Sequence, residues 1–232
     1  MKINNIYSLI GNRGVMAVFE VENIEDAVPV CKALFAGGIS IVELPLRTSV
    51  AETSIKIIKD TIPEMIIGAG MLINKGQSKR IKDIGADFAS ALGYNPAIVR
   101  EAKKLDLPFV PGVATPSELE TAVSDGINVL KIFPAYHLGG TSFLKDMNYS
   151  YDFLNLRYIP VGGINEENLN TYASMPQVLT VGGTWITPKN LIRNKQWDEI
   201  SVLAKRAMKI WNERENSQYR RYYVFRSSFA WS

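Results

Sequence analysis

Residues 129–135 read Val-Leu-Lys-Ile-Phe-Pro-Ala, an apolar, strand-like run with one charged residue, Lys131, at its centre. Burying an ammonium among aliphatic side chains is costly unless the charge is paired or the proton is lost. An amine without that proton is a nucleophile that forms imines with carbonyl compounds. In the alternative interpretation, the stem of Lys131 packs at a strand end while its head reaches solvent. This segment alone does not separate the two.

Similar apolar runs flank this segment, repeating at intervals of roughly 20 to 25 residues with helix-like stretches between them. Strands are predicted at 15–21, 40–46, 65–71, 88–93, 109–113, 129–134, 158–162 and 178–182. Helices are predicted at 24–36, 50–61, 75–84, 96–104, 116–124, 140–145, 166–173 and 197–211. We therefore predict an α/β fold in which residues 1–212 form one domain, a parallel eight-stranded (β/α)₈ TIM barrel with an N-terminal helix. An open doubly wound sheet is disfavoured because no G-x-G-x-x-G motif follows the first strand.

The composition excludes several classes of function. The chain has 232 residues, with 26 basic and 23 acidic side chains and no basic block, so we expect neither nucleic acid nor membrane as a partner. With one histidine, His137, and one cysteine, Cys31, a metal site is not expected, and no cofactor is implied. Residues 1–11 lack the apolar core of a signal peptide, and no run approaches the roughly 18 apolar residues of a membrane span, so we expect a cytoplasmic protein.

Functional residues of such a barrel lie at the carboxyl ends of its strands. Glu43 is a lone charge on the second strand, where it could move protons beside an imine or pair structurally with Arg47 or Lys131. Arg47, four residues further on, suits a carboxylate-bearing substrate, although a surface role is the alternative. Glycine pairs follow the last two strands, where backbone amides of this fold often bind phosphate, although tight turns are the alternative. The helices beyond them could be capped by Asn165 or Thr187. These pairs are Gly162-Gly163 and Gly182-Gly183, the latter followed by Thr184.

Short motifs that match one enzyme family occur in order between residues 15 and 211. They are Ala36-Gly37-Gly38-Ile39, Glu43 with Leu46-Arg47-Thr48, Ile67-Gly68-Ala69-Gly70, Val110-Pro111-Gly112-Val113 with Thr115-Pro116-Ser117-Glu118, Leu130-Lys131-Ile132-Phe133-Pro134-Ala135, Pro160-Val161-Gly162-Gly163-Ile164 and Gly182-Gly183-Thr184-Trp185. Through these motifs the chain resembles the bacterial 2-keto-3-deoxy-6-phosphogluconate (KDPG) / 4-hydroxy-2-oxoglutarate (KHG) aldolases, class I enzymes on a (β/α)₈ barrel.

The resemblance implies a role for each matching residue. Lys131 corresponds to the Schiff-base lysine, Glu43 to the general acid/base that acts through a water, Arg47 to the arginine that binds pyruvate, and Phe133 to an aromatic of the pocket. The phosphate-binding loops correspond to Gly162, Gly163, Gly183 and Thr184. The implied reaction cleaves KDPG and/or KHG to pyruvate plus glyceraldehyde 3-phosphate or glyoxylate. The family also leads us to expect a homotrimer.

Some pocket positions depart from the family pattern and make the predicted pocket more apolar. Met71 stands where the family has a threonine that contacts the pyruvate carboxylate, and a thioether cannot donate a hydrogen bond. Val161 replaces another threonine, and Leu92 stands where a proline is usual. Two alternatives therefore stay open: an aldolase for another 2-keto-3-deoxy (phospho)sugar acid, and a weakly catalytic ligand-binding paralogue.

Residues 213–232 form an aromatic and basic tail that the family lacks, which we predict to lie outside the barrel. Interleaved arginine and tyrosine can stack on nucleic acid, but the balanced charge elsewhere in the chain disfavours that interpretation. Packing on a neighbouring subunit, or a disordered end, is favoured over it.

Overall fold

The structure, a computed structural model, describes residues 9–11 and 13–214. The predicted N-terminal helix carries no residue bounds, and most of the segment before the first strand that could hold it, residues 1–8 and 12, is not described; residues 215–232 of the predicted tail are not described either. Both predictions therefore concern segments outside the described residues.

Strands and helices alternate along the described chain. The strands are β1 (Met16–Val18), β2 (Ile41–Pro45), β3 (Ile66–Gly70), β4 (Phe88–Ser90), β5 (Phe109–Val110), β6 (Gly112–Val113), β7 (Val129–Ile132), β8 (Arg157–Pro160) and β9 (Gly182–Gly183). The helices are α1 (Ala27–Ala36), α2 (Ala51–Thr61), α3 (Gln77–Asp83), α4 (Pro96–Lys104), α5 (Pro116–Ser124), α6 (Gly140–Ser150), α7 (Glu166–Ala173), α8 (Lys189–Arg193) and α9 (Trp197–Glu213). Short 3₁₀ helices precede α1 and follow α6, at Ile24–Asp26 and Asp152–Leu154.

All paired strands are parallel, which confirms the predicted α/β class. They form a six-stranded sheet in the order β5-β4-β3-β2-β1-β9 and a three-stranded sheet in the order β6-β7-β8. The predicted continuous eight-stranded sheet is therefore not what is observed. The fifth predicted strand is divided at Pro111, because proline has no N–H for a ladder hydrogen bond.

The eighth predicted strand, residues 178–182, is the other difference from the predicted barrel. Only Gly182–Gly183 forms a strand there, and it pairs with β1. Two isolated parallel bridges connect β8 and the residue after it to this region: Tyr158 of β8 with Val178, and Val161 with Gly182.

The two faces of the sheets carry separate apolar clusters, because successive strand residues point to opposite faces. One face packs against the helices, as Val42 and Leu44 of β2 illustrate. The other face forms a cluster without any residue of α1–α9, and the strands therefore surround it. Its buried residues are Ile10, Met16, Val18, Ile41, Ile66, Phe88, Val110, Val129, Ile159, Val161 and Leu179.

The Phe88 ring fills space inside this cluster that only a glycine on β3 leaves open. A Cβ atom on Gly68 would lie 2.1 Å from Phe88 Cζ. Gly68 and Phe88 are direct partners in the β3–β4 ladder, so the ring lies across its neighbouring strand. The glycine is thus explained by packing, not by a turn.

The last helix, α9, packs against the first. It buries Ile200, Ala204, Ala207 and Trp211, which recur every three or four residues and form one apolar stripe. The backbones approach closely at Gly37, which ends α1, since a Cβ atom there would lie 2.3 Å from the Cβ of Ala204. The last helix, α9, is thereby held against the first, α1.

Candidate active site

A polar layer lies directly beyond the apolar cluster that the strands enclose. Glu43, Ser90 and Lys131 each follow a residue of that cluster by two positions, so their side chains point to the same face as Ile41, Phe88 and Val129. Each lies at or near the carboxyl end of its strand, on β2, β4 and β7. The layer is therefore held by three separate strands of the scaffold.

Lys131, Glu43 and Ser90 form one buried hydrogen-bonded cluster. Lys131 Nζ lies 2.8 Å from both carboxylate oxygens of Glu43 and 2.8 Å from Ser90 Oγ. Ser90 Oγ in turn lies 2.7 Å from Glu43 Oε2. The exposed fractions are 1% for Lys131, 2% for Glu43 and 0% for Ser90, so water contributes almost nothing to their solvation.

The charges of this cluster compensate each other. An ammonium has three N–H donors, and Lys131 has three acceptors within hydrogen-bonding distance, two on Glu43 and one on Ser90. Removing one partner from such a buried pair leaves an uncompensated charge, which typically costs about 3–5 kcal/mol. The alternative in which the Lys131 head reaches solvent is therefore wrong for this structure.

Gly70, the last residue of β3, makes room for the Glu43 carboxylate. A Cβ atom on Gly70 would lie 2.6 Å from Glu43 Oε1. Any larger residue at this position would push the carboxylate away from Lys131. The two glycines of the Gly68-Ala69-Gly70 motif thus leave space for the Phe88 ring and for the Glu43 carboxylate.

A cavity of about 350 Å³ opens above this cluster at the carboxyl ends of the strands. Apart from Lys131, every site residue predicted from the sequence lines it. These residues are Glu43, Arg47, Met71, Phe133, Val161, Gly162, Gly163, Gly183 and Thr184. Leu92 lines the cavity as well.

Lys131 lies beneath the cavity and does not line it. Its amino group contacts the carboxylate of Glu43, and Glu43 itself is one of the lining residues. A ligand in the cavity therefore meets the carboxylate first. Access to the amine requires that Lys131 Nζ or the Glu43 carboxylate changes its position.

Charged residues surround the mouth of the cavity. Glu20 accepts hydrogen bonds from Lys189 through Oε2 and from Arg47 Nη1 through Oε1, the latter at 2.7 Å. All three residues line the cavity. The hydrogen bond from Lys189, followed by that from Arg47, lowers the pKa of the Glu20 carboxyl below its usual 4.5. The mouth therefore carries one carboxylate that holds two cations.

Met71 occupies an unusual backbone conformation directly after β3. Its φ is 66°, in the left-handed region that few residues other than glycine adopt. Its sulfur lies 3.0 Å from Arg47 Nε and acts as a weak acceptor. The guanidinium of Arg47 is thus held on one side by a thioether and on the other by Glu20.

The first glycine pair forms a turn that places backbone close to the cavity. Gly162 and Gly163 have φ values of 94° and 76°, which explains the need for glycine at both. A Cβ atom on Gly162 would lie 3.1 Å from the Phe133 ring. The predicted cap of the next helix is confirmed, since Asn165 accepts hydrogen bonds from the backbone of Glu167 and Asn168 at the start of α7.

The second predicted cap is wrong. Thr187 Oγ1 donates to the backbone oxygen of Val18 at 3.3 Å, and α8 has no side-chain cap. Thr187 thus ties the loop after β9 to β1.

Gly183 is required for a different reason from Gly162 and Gly163. A Cβ atom on Gly183 would lie 1.6 Å from the Trp185 ring. Close packing of that ring is the reason for glycine at this position.

Three polar residues of the site were not predicted from the sequence: Glu20, Ser90 and Lys189. Ser90 follows Phe88 by two positions on a buried strand, and this spacing could have indicated an inward-facing hydroxyl. Glu20 follows β1 as Arg47 follows β2, so its place at a strand end was a usable signal. Lys189 begins α8, a helix that was not predicted, and no sequence pattern indicated it.

The described part of the chain offers neither a metal site nor a membrane span. Residues 9–11 and 13–214 contain no group of three or more His, Cys, Asp or Glu side chains arranged to hold a metal ion. No helix among the same residues has the length and apolar composition needed to cross a membrane. Cys31 is buried in α1, and burial raises the pKa of its thiol.

Comparison with known proteins identifies the family. Residues 6–203 match the family model described as KDPG and KHG aldolase. The chain belongs to the KDPG and KHG aldolase family. The resemblance inferred from the short motifs is thereby confirmed.

Relatives within the family cover nearly the whole chain. The chain is 34% identical over 205 residues to the 2-dehydro-3-deoxy-phosphogluconate aldolase of Treponema pallidum, spanning 88% of this chain and 97% of that protein. It is also 34% identical over 201 residues to the KHG/KDPG aldolase of Escherichia coli K12, spanning 87% and 93%.

Solved structures of family members share the fold. The KDPG aldolase of Legionella pneumophila, captured with pyruvate as a covalent carbinolamine intermediate, superposes with a TM-score of 0.83 at 36% identity, covering 87% of this chain and 97% of that one. The Zymomonas mobilis ZM4 enzyme, solved with 3-phosphoglycerate, gives a TM-score of 0.82 at 31% identity, covering 89% and 96%.

Proposed function

We propose that this protein is a class I aldolase that cleaves KDPG and/or KHG to pyruvate plus glyceraldehyde 3-phosphate or glyoxylate. The observation that carries the proposal is the buried Lys131–Glu43 pair beneath the cavity, with both carboxylate oxygens 2.8 Å from Nζ. The covalent carbinolamine of pyruvate in the L. pneumophila relative supports the same route here.

In the proposed reaction Lys131 is the nucleophile. Its neutral amine adds to the C2 carbonyl of the substrate, and the carbinolamine hydroxyl then leaves as water, taking the proton that Glu43 removed from the ammonium, to give an iminium and an ionised Glu43. Glu43 is the only other ionisable group within hydrogen-bonding distance of Nζ among the described residues, so we assign it the proton that the ammonium must first lose. The same contact that stabilises the charged pair thus provides the base that activates the amine.

Cleavage uses the iminium as an electron sink. Glu43 accepts the proton of the C4 hydroxyl, directly or through a water, while the C3–C4 bond breaks and releases the aldehyde. The electron pair of that bond forms the enamine of pyruvate. Protonation of C3 and hydrolysis of the imine then release pyruvate and restore the amine of Lys131.

Arg47 is proposed to bind the carboxylate of the keto acid. Its Nη1 bonds Glu20 and its Nε contacts the Met71 sulfur, which leaves further N–H donors of the guanidinium for a second carboxylate. Met71 itself supplies no donor, so the family's threonine contact is missing. Phe133 and Val161 line the cavity and supply apolar surface.

The distal end of the substrate is proposed to bind at the loops after β8 and β9. Gly162, Gly163, Gly183 and Thr184 line the cavity there and offer backbone amides and one hydroxyl. The 3-phosphoglycerate in the Z. mobilis relative supports a phosphorylated substrate. Lys189, the first residue of α8, also lines the cavity and adds a cation.

A second candidate is an aldolase for another 2-keto-3-deoxy (phospho)sugar acid. It is favoured by Met71, Leu92 and Val161, which line the cavity where the family has polar side chains or proline. The ligand-binding paralogue is disfavoured, because a binder would bury the Lys131–Glu43 pair at a desolvation cost without using it.

We further propose that the strands form a closed eight-stranded barrel, with β5 and β6 as two halves of one strand. The bridges from Tyr158 to Val178 and from Val161 to Gly182 support closure between β8 and the segment that leads into β9. The homotrimer, the cytoplasmic location, and the assignment of 1–212 to the barrel and 213–232 to a separate tail stay predictions.

Trapping with borohydride tests the central assignment. Incubation with pyruvate and borohydride should add one reduced pyruvyl group to the peptide that contains Lys131. Lys131→Ala should abolish both the adduct and the retro-aldol activity. Lys59→Ala is the matched control, because Lys59 pairs with Asp87 away from the cavity and its loss should leave labelling unchanged. Labelling of another lysine in the unsubstituted protein would refute the proposal.

A further inference from the structure

We infer that Ser90 is a positioning residue that holds one oxygen of Glu43 in place while Lys131 is bonded to the substrate. This inference rests on the proposed function. Its basis is the position of the Ser90 hydroxyl, 2.7 Å from Glu43 Oε2 and 2.8 Å from Lys131 Nζ, in a fully buried site. Ser90 is thus the third member of the catalytic cluster.

The directions of the two hydrogen bonds follow from the chemistry of the groups. An ionised carboxylate only accepts, and an ammonium only donates. A serine hydroxyl has one hydrogen, so Ser90 donates it to Glu43 Oε2 and accepts from Lys131 Nζ. Hydrogen bonds to charged groups are stronger than neutral ones, and in a buried site they hold their partners tightly.

Imine formation changes which of these bonds can persist. As an ammonium, Lys131 has three N–H donors, which match its three acceptors. The nitrogen of an iminium keeps one hydrogen, so at least two of the three bonds from Nζ are lost when the covalent bond to substrate forms. The bond from Ser90 to Glu43 uses the hydroxyl hydrogen and does not depend on Lys131.

The two oxygens of Glu43 therefore acquire different roles. Oε2 stays anchored by Ser90, whereas Oε1 lies against Gly70 and has no donor other than Lys131 among the described residues. Once Lys131 is an imine, Oε1 is the oxygen free to accept and return protons. Ser90 thus holds the carboxylate so that Oε1 faces the reacting carbons, and it prevents the side chain from following the departing nitrogen.

Two measurements on the full-length protein separate this role from a general structural one. Borohydride trapping with pyruvate reports imine formation. Exchange of the pyruvate methyl protons with deuterium, followed by NMR, reports proton transfer by Glu43 once the imine exists. Ser90→Ala should keep trapping within about threefold while exchange falls at least about tenfold, within the range of general acid–base contributions. Ser90→Thr, which restores a hydroxyl, should recover exchange relative to Ser90→Ala.

Ser78→Ala is the matched control, because Ser78 is also fully buried but its hydroxyl has no hydrogen-bond partner. It should leave both rates unchanged. The inference is overturned if Ser90→Ala retains exchange, or if trapping and exchange fall by the same factor. Failure of the unsubstituted protein to be trapped at Lys131 would instead overturn the proposed function, and the role of Ser90 with it.

Discussion

Arg47 at the end of the second strand is bonded to Glu20 at the end of the first, with 2.7 Å between Nη1 and Oε1. The guanidinium proposed to bind the keto acid carboxylate thus already has a carboxylate partner of its own. Glu20 pairs with Lys189 as well, so a single acidic side chain contacts two cations at the mouth of the cavity. An anionic substrate has to share these cations with Glu20.

Glu20→Gln should therefore lower the KM for an anionic keto acid by about 1.4- to fivefold, because exposed ion pairs are worth about 0.2–1 kcal/mol. Turnover should stay within about twofold, since Glu20 contacts no reacting atom. Steady-state kinetics at low salt measures both constants. Glu22→Gln is the control, because Glu22 pairs with Arg193 and Lys189 but does not line the cavity. A rise in KM for Glu20→Gln would mean that Glu20 orients Arg47 and does not compete with substrate.

The Glu20 carboxyl should titrate below pH 4.5, because Lys189 and then Arg47 lower its pKa. A depressed pKa in the folded state gives a stabilisation that is complete above the unfolded value and is lost as pH falls through the folded value. The ion pairs should hence persist from pH 7 to about 5 and break only in stronger acid. Carboxyl ¹³C NMR follows this titration. Lys189→Ala should raise the pKa of Glu20 more than Arg47→Ala does, and the opposite order would contradict the assignment.

Glu43→Gln should reduce turnover by at least about a hundredfold, in line with general acid–base contributions. It should also lower the free energy of unfolding by about 3–5 kcal/mol, because it leaves the Lys131 ammonium buried without a countercharge. Adding Lys131→Met should recover most of that loss without restoring activity, since both charges are then absent. Urea unfolding of the two single variants and the double variant measures the coupling. If the double variant is as unstable as Glu43→Gln, the buried charge is not the cause.

Met71→Ser should lower the KM for the keto acid by supplying the donor that the thioether lacks. A hydrogen bond to a charged group contributes about 1.5–3 kcal/mol, which corresponds to roughly ten- to a hundredfold in affinity. Serine is preferred to threonine for this test, because a β-branched residue is strained at the φ of 66° found here. Met71→Leu is the control, which removes the sulfur from Arg47 without adding a donor. An equal KM for the serine and leucine variants would show that the substrate carboxylate binds elsewhere.

Gly37→Ala should destabilise the fold by about 1–3 kcal/mol, the usual cost of overpacking. Its Cβ atom would lie 2.3 Å from the Cβ of Ala204 and 2.7 Å from the backbone oxygen of Ser201, so α9 must move away from α1. Gly93→Ala is the control, because no atom lies within 4 Å of the added Cβ. The midpoint of urea unfolding should fall for the first variant and change little for the second. Equal midpoints would mean that α9 adjusts without cost.

The sequence predicted the helices well where a local signal marks both ends. Three predicted helices have the same bounds in the structure: Pro96–Lys104, Pro116–Ser124 and Glu166–Ala173. Each follows a residue whose side chain caps the helix, namely Asn95, Thr115 and Asn165 in that order. Helix α8, only five residues long and without a side-chain cap, offered no such signal. Strand pairing is a non-local property, so the division at Pro111 and the shortness of β9 did not follow from the apolar pattern.

The site was predictable to the extent that it follows strand alternation and family motifs. Glu43 and Lys131 were identified because a lone charge in an apolar strand is anomalous. Ser90 was not predicted, because an uncharged serine is common in an apolar strand and is therefore not an anomaly. The link between Glu20 and Lys189 joins residues far apart in sequence, and only the fold brings them together.

The pairing of β1 with β9, and the packing of α1 on α9, also bear on how the chain folds during synthesis. The partners of the first strand and first helix are among the last parts of the described chain to leave the ribosome. At a synthesis rate of about 5–20 residues per second, one edge of β1 stays unpaired for on the order of ten seconds. An open strand edge is a template for association with other chains. We therefore expect the nascent polypeptide to be open to association during that interval, and slower translation to lengthen it.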